Sequence, residues 1–227
     1  MIGIIAAMKE EMQLLKDALG VEEAERICGI DFFVGNIAGK EIILSQCGVG
    51  KVNSSMAATI LIDHFGVNFI LNTGIAGGIR GLQPKDIILA NSLMYHDVDV
   101  EAFGYAYGQV PGMPKQYIPS LEYILQIKRI LQDLGYSYKE GIIYSGDSFV
   151  HHLDSLRKVD TSSLCATEME GASIAQVCVK SSIDFVVLRY ISDSVGHPSQ
   201  IADYSSFESE MANRSAEICL EILKKLG

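Results

Sequence analysis

Strand–helix alternation constrains this chain more than any other property of its sequence. Short runs rich in apolar and β-branched residues alternate with segments of helical spacing from end to end. Ile2–Ala7 reads as a buried strand and Met8–Leu19 as a helix with Met12, Leu15 and Leu19 on one face. Phe32–Ile37 and Glu41–Gln46 read as a hairpin turning at Ala38-Gly39-Lys40. Further strands are predicted at Phe69–Thr73, Asp86–Tyr95, Gly141–Ser145 and Phe185–Arg189. Helices are predicted at Lys51–His64, Ser120–Leu134, Thr167–Ser181 and Phe207–Leu226. Asp97–Pro119 holds three of the five prolines and reads as a long loop. The strands are apolar almost throughout, as a sheet covered on both faces requires. The expected fold is a single-domain three-layer α/β/α sandwich over residues 1–227 with a central mixed β-sheet. No linker, low-complexity segment or fixed-period repeat interrupts it.

A chain of 227 residues buries roughly 70–75% of its unfolded surface and needs neither disulfide nor metal to hold a core. Its 18 basic against 28 acidic side chains, a formal charge of −10, argue against nucleic acid or an anionic membrane as partner. No run of about 18 apolar residues occurs, so no transmembrane helix is expected. Met1–Met8 has no basic region before it and meets Lys9-Glu10-Glu11 at once, unlike a signal peptide. The cysteines, Cys28, Cys47, Cys165, Cys178 and Cys219, are odd in number and form no C-x-x-C pair. The first three sit in strand-like runs and the last two in helix-like ones. Reduced, mostly buried thiols in a cytoplasmic protein are expected. His151 and His152 are adjacent and cannot face one metal from one helix, so neither metal nor cofactor is expected.

Ligands of α/β folds bind where strand ends give way to Gly-rich loops and helix starts. Four segments qualify. Ala6-Ala7-Met8-Lys9-Glu10-Glu11 runs from a strand into an acidic first turn, which would also complement a helix dipole. Asn72-Thr73-Gly74-Ile75-Ala76-Gly77-Gly78 is a glycine-rich turn that permits close approach of backbone to ligand, or a tight structural turn alone. In Ala166-Thr167-Glu168-Met169-Glu170-Gly171-Ala172, Thr167 and Glu170 have the spacing of a capping box. Arg189-Tyr190-Ile191-Ser192-Asp193-Ser194 ends a buried strand. Ser-Asp there is a common turn, but an Arg leaving an apolar strand needs a partner.

The ordered set of these segments resembles the nucleoside phosphorylase/nucleosidase superfamily, and within it the 5′-methylthioadenosine/S-adenosylhomocysteine nucleosidases. The resemblance covers essentially the whole chain. It runs through Val49-Gly50-Lys51-Val52, Tyr95-His96-Asp97-Val98-Asp99-Val100, Ala102-Phe103-Gly104-Tyr105 and Ser145-Gly146-Asp147-Ser148-Phe149-Val150. It implies a nucleoside phosphorylase-like fold. The implied activity is hydrolysis of the N-glycosidic bond of methylthioadenosine, S-adenosylhomocysteine and 5′-deoxyadenosine.

Such cleavage needs a proton on the leaving base, negative charge near a cationic sugar, and water on the opposite face. The resemblance implies Asp193 as general acid at adenine N7, Glu11 as activator of water, and Arg189 as the residue that helps place it. Glu170 would hold the ribose hydroxyls, with Met169 on the sugar and Gly77 near the base. Phe149 would stack on adenine while the Val150 backbone reads its edge, and Met8, Val49 and Tyr204 would line the 5′-pocket. Val100, Phe103, Tyr105 and Pro111 would cross a homodimer interface to close the partner's pocket. The chain departs from the family at Ile75, where many members carry Ser, at Tyr204 in place of Phe, and at Lys9. The phosphorylase branch typically carries an Arg where this chain has Asn72, and Glu11 would repel phosphate, so water is the expected nucleophile. The alternatives are a preference for aminodeoxyfutalosine, a purine nucleoside phosphorylase, or a non-catalytic nucleoside-binding protein.

Overall fold

A computed structural model describes residues 1–227. The chain opens with strand β1 (Ile2–Ala6), helix α1 (Lys9–Leu19) and strands β2 (Glu25–Ile27), β3 (Ile30–Ile37) and β4 (Lys40–Gln46). Helix α2 (Lys51–Asp63) leads to β5 (Phe69–Asn72), β6 (Ile75–Ile79) and β7 (Ile87–Tyr95). After the long loop come α3 (Leu121–Asp133), β8 (Lys139–Ser145) and β9 (Cys165–Glu168). Helix α4 (Gly171–Ser181), β10 (Asp184–Ser194) and α5 (Gln200–Lys225) complete the chain.

The ten strands form one mixed sheet in the order β2-β3-β4-β1-β5-β10-β6-β9-β8-β7. Strand β10 holds it together. Its Asp184–Val187 segment runs parallel to β5, Leu188–Tyr190 antiparallel to β7, and Tyr190–Ser194 parallel to β6. The β7–β10 pairing bends half of the sheet into a closed ring of β10, β6, β9, β8 and β7. The other strands extend from this ring as an open arm.

Alternation along each strand explains the continuous apolar runs. Ile5, Ile43, Ile70 and Val187 pack with Ala57 and Leu61 of α2 and Ile174 and Cys178 of α4. Their neighbours Ile4, Leu44, Leu71 and Leu188 pack with Leu15 of α1, Leu131 of α3 and Ile222 of α5. Every central strand serves two cores, and the layers are the expected helix–sheet–helix.

Several local expectations change. Thr167 and Glu168 belong to β9, and the helix starts only at Gly171, because Thr167 pairs with Gly77 on one side and Tyr144 on the other. The glycine-rich stretch is a turn only at Thr73-Gly74; Ile75–Ile79 is strand β6. Its glycines let β6 lie close to β10: a Cβ on Gly77 would sit 2.9 Å from Val195 Cγ2 and 3.1 Å from Asp193 Oδ2. Strand β10 continues past Arg189 to Ser194, and α5 begins at Gln200 rather than Phe207. Cys28 is exposed in the β2–β3 turn, whereas the other four thiols are buried. The long loop folds only a 3₁₀ turn at Glu101–Phe103 and a bridge from Tyr117 to Leu93.

Ile222 is fully buried in the core beneath α5. Ile222→Ala should cost about 2–5 kcal/mol, read as a lower urea midpoint at unchanged slope. A midpoint equal to the parent's would show that α5 does not close this core.

Candidate active site

The carboxyl ends of β1, β5, β9 and β10 meet around one buried ion pair. Arg189 leaves β10 at 2% exposure, and its Nη2 donates to Glu168 Oε2 and to Asn72 Oδ1, each at 2.5 Å. Nη1 donates to the Leu188 carbonyl at 3.2 Å. Asn72 in turn donates to the Ile5 carbonyl at 2.9 Å, which ties β5 to β1. Glu168 also accepts from the backbone amides of Gly171 (2.8 Å) and Glu170 (3.2 Å). The free N–H groups at the start of α4 are thus capped by Glu168, not by Thr167. The Ser145 hydroxyl donates to the other Glu168 oxygen and accepts from the Ala172 amide.

Glu11 stands at the first turn of α1 and folds back over its own N-terminus. Its Oε2 accepts from the amides of Ala7 (2.8 Å) and Met8 (3.0 Å), and its Oε1 from Ile75 (3.1 Å). The dipole-complementing role and a role in the site therefore coincide in one carboxylate. Gly74 is what gives it room: a Cβ there would lie 2.5 Å from Glu11 Oε1, at a backbone φ of +151°.

Asp193 is aimed by a bulge. Ile191 pairs with Ala76 and Asp193 with the next residue, Gly77, so Ser192 is the extra residue on β10. The Ser192 hydroxyl donates to Asp193 Oδ1 at 2.6 Å, and Gln200 Nε2 to Oδ2 at 2.8 Å.

These groups border a cavity of about 90 Å³. Glu11, Glu168, Glu170 and Asp193 line it, with Met8, Val49, Ile75, Gly77, Phe149, Met169 and Tyr204. Val150 lines an adjoining compartment of about 40 Å³ together with Gln200 and Asp193. Phe149 meets the Tyr204 ring edge-on at 5.3 Å, and the Tyr204 hydroxyl donates outward to Glu208 Oε1 at 2.8 Å. Arg189 does not line the cavity; its charge lies behind it. Val100, Phe103, Tyr105 and Pro111 do not line it either. They lie in the long loop, with Phe103 81% exposed. Sequence reasoning missed Glu168 as a site residue, although two acids one residue apart beside an Arg-bearing strand were visible. Gln200 carried no signal.

Burial controls the acids. It raises the pKa of Glu11 against the pull of the three backbone amides and Arg189. It raises that of Asp193 against the Ser192 and Gln200 donors. Glu170, whose Oε1 accepts from the Gly50 amide at 2.8 Å, is pushed up to about 8 by burial and then by Glu168.

Removing one partner of the buried pair leaves the other charge uncompensated, so Glu168→Ala should lower unfolding free energy by about 3–5 kcal/mol in denaturant titration. A loss under about 1 kcal/mol would remove the pair from its structural role. Glu170 gives a pH signature of definite sign. The folded state binds its proton more tightly than the unfolded chain, so its stabilising contribution is present below 4.5 and lost as pH rises through about 8. Thermal melts of the ligand-free protein should fall across that window, and Glu170→Gln should flatten the fall. An unaltered pH profile in that variant would refute the assignment.

The sequence profile of the phosphorylase superfamily matches residues 1–224. A 5′-methylthioadenosine/S-adenosylhomocysteine nucleosidase of Geobacillus thermodenitrificans is 40% identical over 225 residues, 97% of this chain and 95% of the relative. The crystal structure of an S-adenosylhomocysteine nucleosidase of Streptococcus pyogenes with 5-methylthiotubericidin superposes with TM-score 0.93 at 38% identity, covering 100% of this chain and 97% of that one. A futalosine hydrolase of Helicobacter pylori superposes with TM-score 0.90 at 34% identity, covering 99% and 97%. With the same fold over its full length, the chain belongs to the phosphorylase superfamily and to its 5′-methylthioadenosine/S-adenosylhomocysteine nucleosidases.

Proposed function

We propose that this protein, as one nucleosidase domain over residues 1–227, hydrolyses the N-glycosidic bond of 5′-methylthioadenosine, S-adenosylhomocysteine and 5′-deoxyadenosine. The products are adenine and the 5-substituted ribose. One observation carries the choice of water over phosphate. The cavity is bordered by four acids and by no Arg, Lys or His. A phosphate dianion would find no cation to bind there, whereas a neutral nucleoside and water need none. Asn72 supports the same reading. It accepts from Arg189, so an Arg in its place would set two guanidinium groups against each other.

In this mechanism Asp193 is the general acid that gives a proton to adenine N7, and burial shifts its pKa upward, the direction that role needs. Protonation lets the N9–C1′ electron pair leave with the base. Glu11, held by backbone amides and made more basic by burial, takes a proton from the water that attacks C1′. Glu170 holds the ribose hydroxyls, and Glu11 sets negative charge near the developing sugar cation. Phe149 stacks on the base, the Val150 backbone reads its edge, and Gly77 lets the base approach β6. Met169 packs on the sugar, while Met8, Val49 and Tyr204 receive the 5′-substituent. Arg189 acts from behind, through Glu168 and the electrostatics of the cluster. No metal or cofactor has a part in these steps.

The reading includes a homodimer in which Val100, Phe103, Tyr105 and Pro111 reach the partner's 5′-pocket. An apolar groove of about 660 Å³ beside that loop, lined by Val52, Met56, Ile60, Val98, Val110 and Val177, supports a partner of like surface. A cytoplasmic location fits the four buried, unpaired thiols, and no helix is long and apolar enough to cross a membrane. The likeness to a futalosine hydrolase supports one second reading, a preference for a futalosine-type nucleoside, for which aminodeoxyfutalosine is the candidate that carries adenine.

Adenine release in phosphate-free buffer, compared across methylthioadenosine, S-adenosylhomocysteine, 5′-deoxyadenosine and aminodeoxyfutalosine, tests reaction class and preference together. Release should proceed without phosphate, and a strict phosphate requirement would overturn hydrolysis. Asp193→Asn and Glu11→Gln should each lower kcat by about 10²–10⁴-fold or more while nucleoside binding survives. Near-normal turnover in either removes that residue from its role.

A further inference from the structure

Gln200, the first residue of α5, is 3% exposed, and its carboxamide is fully bonded inside the site. Nε2 donates to the Val150 carbonyl at 2.9 Å and to Asp193 Oδ2 at 2.8 Å, and Oε1 accepts from the Gly196 amide at 2.8 Å. The orientation is forced, since two acceptors face the nitrogen and a donor faces the oxygen. Those two acceptors belong to the residues that the proposed function assigns to the base: the Val150 backbone and Asp193. A carboxamide NH₂ and the 6-amino group of adenine are both flat double donors, so one position cannot hold both.

The available space agrees. The compartment bordered by Val150, Asp193 and Gln200 is about 40 Å³ and its neighbour about 90 Å³. Small-molecule sites usually start near roughly 300 Å³. Wider space opens beyond Phe149 and Tyr204, but at the Val150–Asp193 end a base edge enters only if Gln200 leaves the groups it requires. The Gly196 amide that anchors it belongs to the short connection between β10 and α5, at a glycine with φ +78°.

We propose, resting on the function proposed above, that Gln200 is a built-in occupant of the purine-edge position. Its carboxamide holds Val150 and Asp193 in their reading geometry while the site is empty, and the 6-amino group of the base displaces it. The exchange replaces two donations by two donations, so hydrogen bonding to these acceptors adds little net affinity. Stacking and the proton at N7 are left to drive binding. Apparent affinity for the base is the intrinsic affinity reduced by the fraction of molecules in which Gln200 has moved aside.

The test is calorimetric titration of the full-length protein with adenine, beside steady-state hydrolysis of methylthioadenosine. Gln200→Ala removes the occupant and should tighten adenine binding about tenfold. KM should fall while kcat does not rise. Gln200→Met, which keeps the bulk but has no donors, should move both quantities in the same direction by less, and it carries the test if the alanine variant does not fold. Unchanged or weaker adenine binding in the folded variants would overturn the proposal, because a merely structural residue, or one that stays to contact the base, gives that result. The reading of the reaction fails separately, if the unaltered protein releases adenine from none of the four nucleosides while still binding adenine. A protein that binds no adenine overturns both.

Discussion

The buried pair of Arg189 and Glu168 is the interaction on which the site depends. A guanidinium inside a protein is stable only when its charge and its donors are met, and here strands β9 and β5 supply the partners. The pair does more than neutralise charge. Because Glu168 also receives the first amides of α4, the same carboxylate fixes where that helix begins and hence where Glu170 points. Asn72 extends the network to β1, whose end hands the chain to Glu11. Four strands and the start of α4 are registered to one another through this ionic contact and the hydrogen bonds around it.

The acids around the cavity share one physical state. Apart from Glu168, which takes Arg189, each has lost water without gaining an ion-pair partner. Glu11, Glu170 and Asp193 consequently hold their protons more tightly than free carboxyls do. Such a cluster is poorly suited to anions and well suited to a substrate that is neutral on arrival and cationic at the transition state. The bulge at Ser192 and the bare backbone of Gly77 complete the arrangement. The first turns Asp193 inward, and the second lets β6 come close enough for the cavity to stay small.

Much of this was legible in the residues. The central strands announce themselves because both faces are buried, and most lie within a residue or two of their expected limits. Polar three-residue β2 has no such signature, and neither does glycine-rich β6, whose pairing comes from β9 and β10. Thr167 and Glu170 have the spacing of a helix cap, but long-range strand pairing outcompeted it. Glu11, Asp193, Glu170 and the apolar lining were identified by resemblance, and the fold brings them to one cavity. Glu168 was hidden by the same false cap. Gln200 was hidden because its position arises from how α5 docks on β10, which no local pattern encodes.

The ring closed by β7 and β10 also bears on how copies of this protein meet in a crowded solution. A ten-stranded sheet ordinarily presents two unpaired edges, each a template for unwanted intermolecular pairing. Closure consumes one of them. The other is β2, only three residues long, with Glu25 and Arg26 exposed along it and Arg26 tied to Asp31 at 3.0 Å. Beyond the three residues that β2 covers, the only outer backbone left without a strand is the Phe33–Ile37 stretch of β3, so topology and the charges on β2 together confine the exposed edge to one short segment.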